Sequence, residues 1–517
     1  MPFVDNHFVI LVGSYNNAQW VESNLNSVLV QDYKNYHVIY FDDASTDGTV
    51  ELVNKMVEND NRFIVYPSMK RQYKTWFFSN VEHIFPINDN DIVIFLDGDD
   101  MLYCTNVLSY INEIYNQSNC WMTYGGMMVW NGGTDIVEPF PQNSEIPSRV
   151  LTQKEYRQDI WRTSHLKTMR GFLWKAFRKN ELCPCGIYEP CQDDLAIMFA
   201  ALEMCPPEKI YRVREPLYLY NSSPGNNGSR GCTELKGKQH LENIIRSYAH
   251  YKTIPIVSPT LAGGLGNQMF EIAAAASLAK DNGALLVVNP TEHILPNQGR
   301  NINVYTNNVF SRIVLDNHPP TNNHITIETL FYEPMAFKPN VKLRGNFQSY
   351  KYFDHNRNYI RDLFAPTLDI RNHIAKTYPA YKSRITAIQV RRGDYAKFPN
   401  HHPLLTPEYY AKAVKIVGSE IVWVFSDDIP WCKENLHFDC PSEYIKDEDY
   451  IEMYLMSLCK NIVIANSSFG WWAGYLKTTP GQVFAPHQWF GPALLSKGFK
   501  HDDLIPRDWT VINTCKE

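Results

Sequence analysis

The sequence predicts an α/β chain of two successive domains, each built on a largely parallel sheet with helices on both faces. Three observations carry that prediction. Apolar runs of strand length alternate with amphipathic stretches of helical period along most of the 517 residues. The runs end in polar clusters, and in parallel sheets ligands bind beyond the carboxyl ends of the strands. Finally, Thr253-Ile254-Pro255-Ile256-Val257-Ser258-Pro259 interrupts the pattern, two prolines in an extended segment suiting a connection better than a helix interior.

In the first half, a strand over residues 8–12 runs into Gly13-Ser14-Tyr15-Asn16-Asn17 and then an amphipathic stretch to Val30. A second strand, 37–41, ends in Asp42-Asp43-Ala44-Ser45-Thr46-Asp47-Gly48 and is followed by a helical pattern over 50–57. The strongly apolar run 91–96 leads into Asp97-Gly98-Asp99-Asp100. After a mixed-charge helical pattern near residues 236–251, the second half restarts at Leu261 with Gly263-Gly264-Leu265-Gly266-Asn267-Gln268. An Ala-rich helix to Lys280 follows, stopped at Asn282-Gly283. Further strands fall at 385–390, 421–425 and 461–465. These patterns divide the chain into domains at 1–235 and 254–517, with residues 236–253 as a helical and extended linker.

Composition narrows the function classes. A formal net charge of −6 implies no general attraction to nucleic acid or to anionic membrane. No run reaches the ~18 apolar residues that span a bilayer. The chain enters an apolar strand with no leader pattern, so a cytoplasmic location is expected and sequons such as Asn227-Gly228-Ser229 carry no weight. The 11 cysteines are irregularly spaced. The dense patch Cys183, Cys185, Cys191, with Cys205 beyond it, is too tightly spaced at its start for a zinc site and reads as reduced thiols in a loop.

Asp97, Asp99 and Asp100 follow a buried strand. Carboxylates in that spacing can hold a divalent cation bridging the phosphates of a nucleotide sugar, although Asp is also common in turns and caps for local reasons. Ser14-Tyr15-Asn16, the Asp42–Gly48 cluster and the Asp97–Asp100 cluster, in that order, resemble family-2 glycosyltransferases over about residues 6–225. The resemblance implies a single nucleotide-binding domain of the GT-A fold. By it Asp43 contacts the base of the nucleotide, Ser14 and Tyr15 line the donor site, and Asp97, Asp99 and Asp100 bind Mn²⁺ or Mg²⁺ and ribose. It also makes Asp194 of Gln192-Asp193-Asp194 the base that deprotonates the acceptor, oriented by Asp193. Without it, the pair reads as acidic residues at a helix start. Where some relatives have a histidine ligand after Pro216-Leu217-Tyr218-Leu219-Tyr220, this chain has Asn221-Ser222-Ser223.

Arg391 and Arg392 sit together at the mouth of a sheet, where a guanidinium suits a phosphate, or a salt bridge to Asp394. Ser467 and Ser468 can cap a helix or leave its amides open to an anion. The run Gly263–Phe270, the double arginine, Ser426-Asp427-Asp428, Asn466-Ser467-Ser468-Phe469-Gly470-Trp471-Trp472 and Pro486-His487-Gln488-Trp489-Phe490 resemble family-11 fucosyltransferases over about residues 254–512. That implies two Rossmann-like halves in a GT-B-type arrangement, with GDP-fucose as donor and no metal. Arg392 then holds the diphosphate, with Arg391 and Asp394 beside it. Asp427, Ser467 and Ser468 line the nucleotide pocket, and Asn267 and Gln268 face the acceptor. Gln389 stands where the family pattern has histidine, and glutamine cannot titrate near neutrality.

Together the halves imply a bifunctional enzyme: metal-dependent, inverting transfer of a hexose or N-acetylhexosamine, galactose among the options, then α-1,2 transfer of fucose to a galactoside. Its partners are nucleotide-sugar donors and a glycan acceptor. The alternative is a glycan-binding or scaffold protein with one decayed site.

Overall fold

The computed structural model describes residues 4–131, 136–137, 143–183, 192–223, 235–293, 299–321, 325–327, 331–379 and 384–513. Cys185, Cys191 and the sequon at Asn227 lie outside the described residues. Within them, all seven cysteines are free thiols. No helix among them is long and apolar enough to cross a membrane. The chain divides into two compact units, Met1–Ile254 and Pro255–Glu517.

The first unit holds a sheet whose strands are β1 (Phe8–Ser14), β2 (Tyr36–Asp42), β3 (Phe63–Pro67), β4 (Ile92–Asp97), β5 (Met101–Leu102), β6 (Met122–Trp130), β7 (Ile136–Val137), β8 (Thr168–Arg170) and β9 (Ile210–Asn221). Their order is β3-β2-β1-β4-β8-β6-β9-β5, with β7 on β6. β1 lies parallel to both β2 and β4. Every residue from Phe8 to Val12 is fully buried, which accounts for the unbroken apolar run. Beyond β4 the sheet is mixed, because β8 is antiparallel to β4 and β6, and β5 to β9. The parallel pairing expected from sequence therefore holds for β1–β4 and for the β6–β9 pair, with antiparallel strands between and beside them. The antiparallel strands β5 and β8 span two and three residues, too short to register as a periodic pattern.

Residues 236–253 are built onto this unit. In the helix Leu235–Ser247, Arg246 donates to the carbonyls of Arg157 and Asp159. Arg157 is buried, paired with Glu203 at 2.7 Å, and reaches the Ile245 carbonyl.

The second unit has two sheets, both wholly parallel. Strands β10 (Ile256–Pro259), β11 (Leu285–Val288), β12 (Val314–Leu315), β13 (Ile325–Ile327) and β14 (Val341–Arg344) run in the order β12-β11-β10-β14-β13. Strands β15 (Ile385–Val390), β16 (Ile421–Ser426), β17 (Ser442–Ile445), β18 (Asn461–Val463), β19 (Val483–Pro486) and β20 (Thr510–Ile512) run β17-β16-β15-β18-β19-β20. This last is the doubly wound order in which the chain reverses beside its first strand, opening a crevice at the carboxyl ends. β1 and β10 stand at the same kind of reversal in their own sheets.

Helices join the two sheets of the second unit. The Ala-rich helix Leu265–Asp281 and the helix Ser468–Tyr475 meet at their first turns. A Cβ on Gly266 would lie 2.5 Å from the Ser468 carbonyl carbon, so only glycine permits the approach. Trp472 donates its indole N–H to the Gly266 carbonyl at 2.9 Å. Trp471, Trp472, Phe270 and Phe353 pack around that contact, each at most 1% exposed. The Trp-Trp run thus serves the core, while the Ser-Ser before it stays at the crevice.

Candidate active sites

In the first unit, three carboxyl ends converge. Ser14 closes β1, Asp42 closes β2 and Asp97 closes β4, with Gly98 close enough to Ser14 that a Cβ would sit 2.6 Å from the serine Cβ. Asp43 accepts from the backbone N–H groups of Gln72 at 2.6 Å and Tyr73 at 3.0 Å and pairs with Arg71 at 2.9 Å. Burial raises its pKa, and those three donors offset part of the rise. The Arg71 guanidinium lies 3.3 Å from the centre of the Tyr15 ring. Arg71, a residue the motif reading missed, thus joins Asp43 to Tyr15.

The acidic residues after β4 divide by environment. Asp97 is paired with Lys74 at 3.1 Å, and the same ammonium lies 3.3 Å from Asp193. Burial alone would lower the Lys74 pKa, but Asp193 and Asp97 raise it well above its ordinary value, so it stays charged. Asp99 is largely buried, and its backbone carbonyl accepts from the Asn221 side chain at 3.0 Å. Asp100 is 1% exposed and accepts from the Tyr218 hydroxyl at 2.6 Å and the Asn221 N–H at 2.7 Å. Burial with Asp99 and Asp97 close by raises its pKa well above the carboxylate range. Asp100 is thus turned inward, each of its oxygens accepting a hydrogen bond from within the fold. Asn221, at the position of the absent histidine, holds this turn in shape.

The acidic pair opens the helix Asp193–Met204. Asp193 is buried, and burial raises its pKa to about 6 even though Lys74 pulls it down. Asp194 is more open, with 31% of its side chain exposed, and is paired with the buried ammonium of Lys167. Its pKa falls below the ordinary carboxylate value: burial opposes this, but Lys167, His165 and Lys74 outweigh it. His165 Nε2 lies 3.8 Å from Asp194 and its ring stacks on Tyr218 at 4.4 Å. Lys74, His165 and Lys167 had no signal in the sequence, since a lysine in an amphipathic stretch reads as solvated surface.

Family-2 folds imply a divalent cation here. Among the described residues, no group of three or more Asp, Glu, His or Cys side chains is arranged to hold a metal unaided. Asp97 and Asp99 do supply two hard oxygen donors one residue apart, and a small dication commonly takes one or two carboxylates plus substrate phosphates. The donor set fits on those terms, with Asp100 next to it in the chain.

In the second unit, a cavity of about 970 Å³ opens at the carboxyl ends of β10 and β15. Gly263, Gly266 and Asn267 line one side, and Gln389, Arg391, Asp394, Asp427, Ser467 and Ser468 the other. Its volume suits a nucleotide sugar. Arg391 reaches Asp394 at 2.6 Å and Asp427 at 2.9 Å. Arg392 does not line the cavity: its guanidinium carbon lies 3.8 Å from the Trp431 ring centre and its Nε 3.1 Å from Asp428. Successive residues leaving a strand point to opposite sides, so only one of two adjacent arginines faces the crevice. Gln268 is a second correction. It is fully buried and donates to the carbonyls of Gly263 and Arg300, while Asn267 faces the cavity and accepts from Ser468 at 2.7 Å. Ser467 stands at the start of the helix Ser468–Tyr475 without capping it through its side chain. Gln389 is buried, and its Oε1 accepts from the Ala465 N–H at 3.0 Å, tying β15 to the loop that carries the serines.

Both units thus bring charged side chains to a switch-point crevice, carboxylates in the first and Arg391 among them in the second. Comparison with known proteins makes the class specific. Residues 233–513, more than half the chain, match Glycosyl transferase family 11, and residues 9–175 match Glycosyl transferase family 2. The chain belongs to glycosyl transferase family 11 and carries a family 2 domain before it, and it is a glycosyltransferase. It is 30% identical over 293 residues to the O-antigen biosynthesis glycosyltransferase WbnK of Escherichia coli, covering 44% of this chain and 93% of that protein. An α-1,2-colitosyltransferase of Escherichia coli is 29% identical over 295 residues, covering 50% of this chain and 99% of that one. A galactoside 2-α-L-fucosyltransferase of Caenorhabditis elegans is 24% identical over 297 residues, covering 52% and 81% respectively.

Proposed function

We propose that the chain is a bifunctional glycosyltransferase with two independent sites. The first unit, a GT-A-type domain, transfers a hexose or N-acetylhexosamine with inversion. The second, a GT-B-type pair of Rossmann-like halves, transfers L-fucose from GDP-fucose to the 2-hydroxyl of a galactoside. The domain limits are 1–235 and 254–517, with 236–253 between them. The observation that carries this reading is the cavity at the β15 switch point, lined by Arg391 and both serines, within a chain that belongs to family 11. The names of the colitosyl and fucosyl relatives support the 2-hydroxyl and the donor class.

In the first site, Asp97 and Asp99 would hold Mn²⁺ or Mg²⁺, which would supply charge to offset a departing diphosphate. Asp43 and Arg71, with Tyr15, receive the base. Asp194, kept ionised and aimed by Lys167, takes the proton of the acceptor hydroxyl. Asp193 holds Lys74, which in turn orients Asp97. In the second site, Arg391 makes the paired hydrogen bonds to the diphosphate, and Asp394 and Asp427 fix its plane. Ser467 and Ser468 face the nucleotide, and Asn267 faces the acceptor. Fusion of the two activities raises the local concentration of the first product for the second site, which gives galactose a place as the first sugar.

The test is nucleotide release from UDP-, GDP- and dTDP-sugars with Mn²⁺ or EDTA, in the presence of simple sugar acceptors. Release from GDP-fucose that survives EDTA, with metal-dependent release from a second donor, is the expected result. Binding of GDP-fucose with no turnover on any galactoside would support a glycan-binding role for the second unit. Turnover of a first donor other than UDP-galactose would remove galactose from the scheme.

A further inference from the structure

The fucosyl-transfer cavity has no titratable group at Gln389, and that side chain is committed to the Ala465 N–H. Two histidines nevertheless line the same cavity, His401 and His402. His402 is held in place from several sides. Its ring stacks on Tyr395 at 4.3 Å and 14° between planes. Tyr395 is fixed in turn by donating to the Asn466 carbonyl at 3.0 Å. Asn466 donates to the carbonyl of Pro403, the residue after His402, at 3.0 Å, so the histidine loop and the Asn-Ser-Ser run form one frame. Nδ1 of His402 is buried with no hydrogen-bond partner. A buried nitrogen left without a partner costs free energy unless something else uses the ring.

We propose that His402 is the proton acceptor of the second site, supplying the imidazole that Gln389 cannot; this rests on the fucosyltransferase reading above. As the acceptor oxygen bonds to C1 of fucose, its proton passes to an imidazole nitrogen of His402. The C1–O bond to the β-phosphate breaks, and its electron pair leaves on GDP. The imidazolium then releases the proton to solvent. The groups facing His402 are Tyr395, Asp394, Arg391 and His401. Burial lowers its pKa below 6.5, with His401 and Arg391 adding to the fall and Asp394 opposing it, so the ring is neutral and ready to accept near pH 7.

The test uses the full chain and its His402→Gln and His402→Ala variants. GDP-fucose binding is measured by calorimetry, and GDP release is followed with galactosides or with water as acceptor. The expected result is binding within about twofold of the parent and release slowed by roughly 10²–10⁴-fold. The acid limb of the parent's pH–rate profile, below 6.5, should vanish in His402→Gln. Added imidazole should restore part of the rate in His402→Ala only. Release within about threefold of the parent, or an unchanged acid limb, would overturn the assignment. Loss of binding in both variants would also overturn it, making His402 a structural residue. If the parent itself binds no GDP-fucose, the donor reading fails first, and that outcome is told apart by the parent's calorimetry alone.

Discussion

The two sites occupy the same place in similar sheets, yet their charges are partnered differently. At the end of β1 and β4, carboxylates and ammonium groups interlock: Lys74 joins Asp97 to Asp193, Lys167 holds Asp194, and Arg71 holds Asp43. At the end of β10 and β15, a cavity of about 970 Å³ is lined by hydroxyls, amides and charged side chains of both signs, among them Arg391 between Asp394 and Asp427. Parallel topology delivers polar residues to both crevices, and the two differ in how those charges are partnered. On the proposed reading, interlocked carboxylates suit a site that takes a cation with its donor, whereas an arginine held in plane by two carboxylates suits a diphosphate without a metal. On that reading, similar topology would serve two different ways of neutralising the same leaving group.

Removing one group from each site tests this contrast most severely. Asp99→Asn should lower metal-dependent turnover of the first donor by roughly 10²–10³-fold and leave GDP-fucose turnover within about twofold. Arg391→Ala should do the reverse. If either change abolishes both activities in a protein that still melts cooperatively, the sites are not independent. Within the double arginine, Arg391→Lys should reduce kcat/KM for GDP-fucose by about 10²-fold, since an ammonium cannot make the paired bonds. Arg392→Lys should cost less than about tenfold, acting through its stack on Trp431. Equal losses would mean that Arg392 turns into the cavity when donor binds.

A subtler test addresses the ion pairs of the first site. Asp193 has a pKa of about 6, above the ordinary value of 3.8. Acidification through about 6 should protonate it, release Lys74 and reduce first-donor turnover, while Asp193→Asn should be slower throughout and lack that limb. The native state binds this proton more tightly than the unfolded chain, so the contribution of Asp193 to stability is greatest below pH 3.8 and declines as pH rises through about 6. An unchanged acid limb in Asp193→Asn would assign the limb to another group.

Much of this was legible in the sequence, and the failures have physical causes. The buried runs of β1, β4 and β15 are mostly apolar because both faces are covered, Thr386 and Gln389 being the exceptions within β15, and polar residues follow them. Which neighbour faces inward was not legible. Asp100, Gln268 and Arg392 each stand beside the residue that lines the site, and a difference of one position in chain direction decides between cavity and core. Nor could the sequence place Lys74 and Lys167, whose roles come from carboxylates 23 and 27 residues away. His402 was equally silent, because its stack on Tyr395 depends on a short irregular loop with no period to read.

The smallest predicted effect concerns Gln389. If its amide serves mainly to accept from Ala465, then Gln389→His should change GDP-fucose turnover by less than about threefold, since the cavity already has its imidazole. It should instead be felt in stability. A Cβ on Gly470 would lie 2.6 Å from Gln389 Oε1, a measure of how closely the chain approaches this side chain. An imidazole that fails to reach the Ala465 N–H leaves a buried donor unpaired, at a cost of about 1–3 kcal/mol. Chemical denaturation of the variant reads that cost, and GDP release reads the chemistry. A tenfold or greater gain in turnover with unchanged stability would reverse the interpretation: Gln389 would then mark a weakened second site, and the contrast between the crevices would lie in fitness for catalysis as well as in charge.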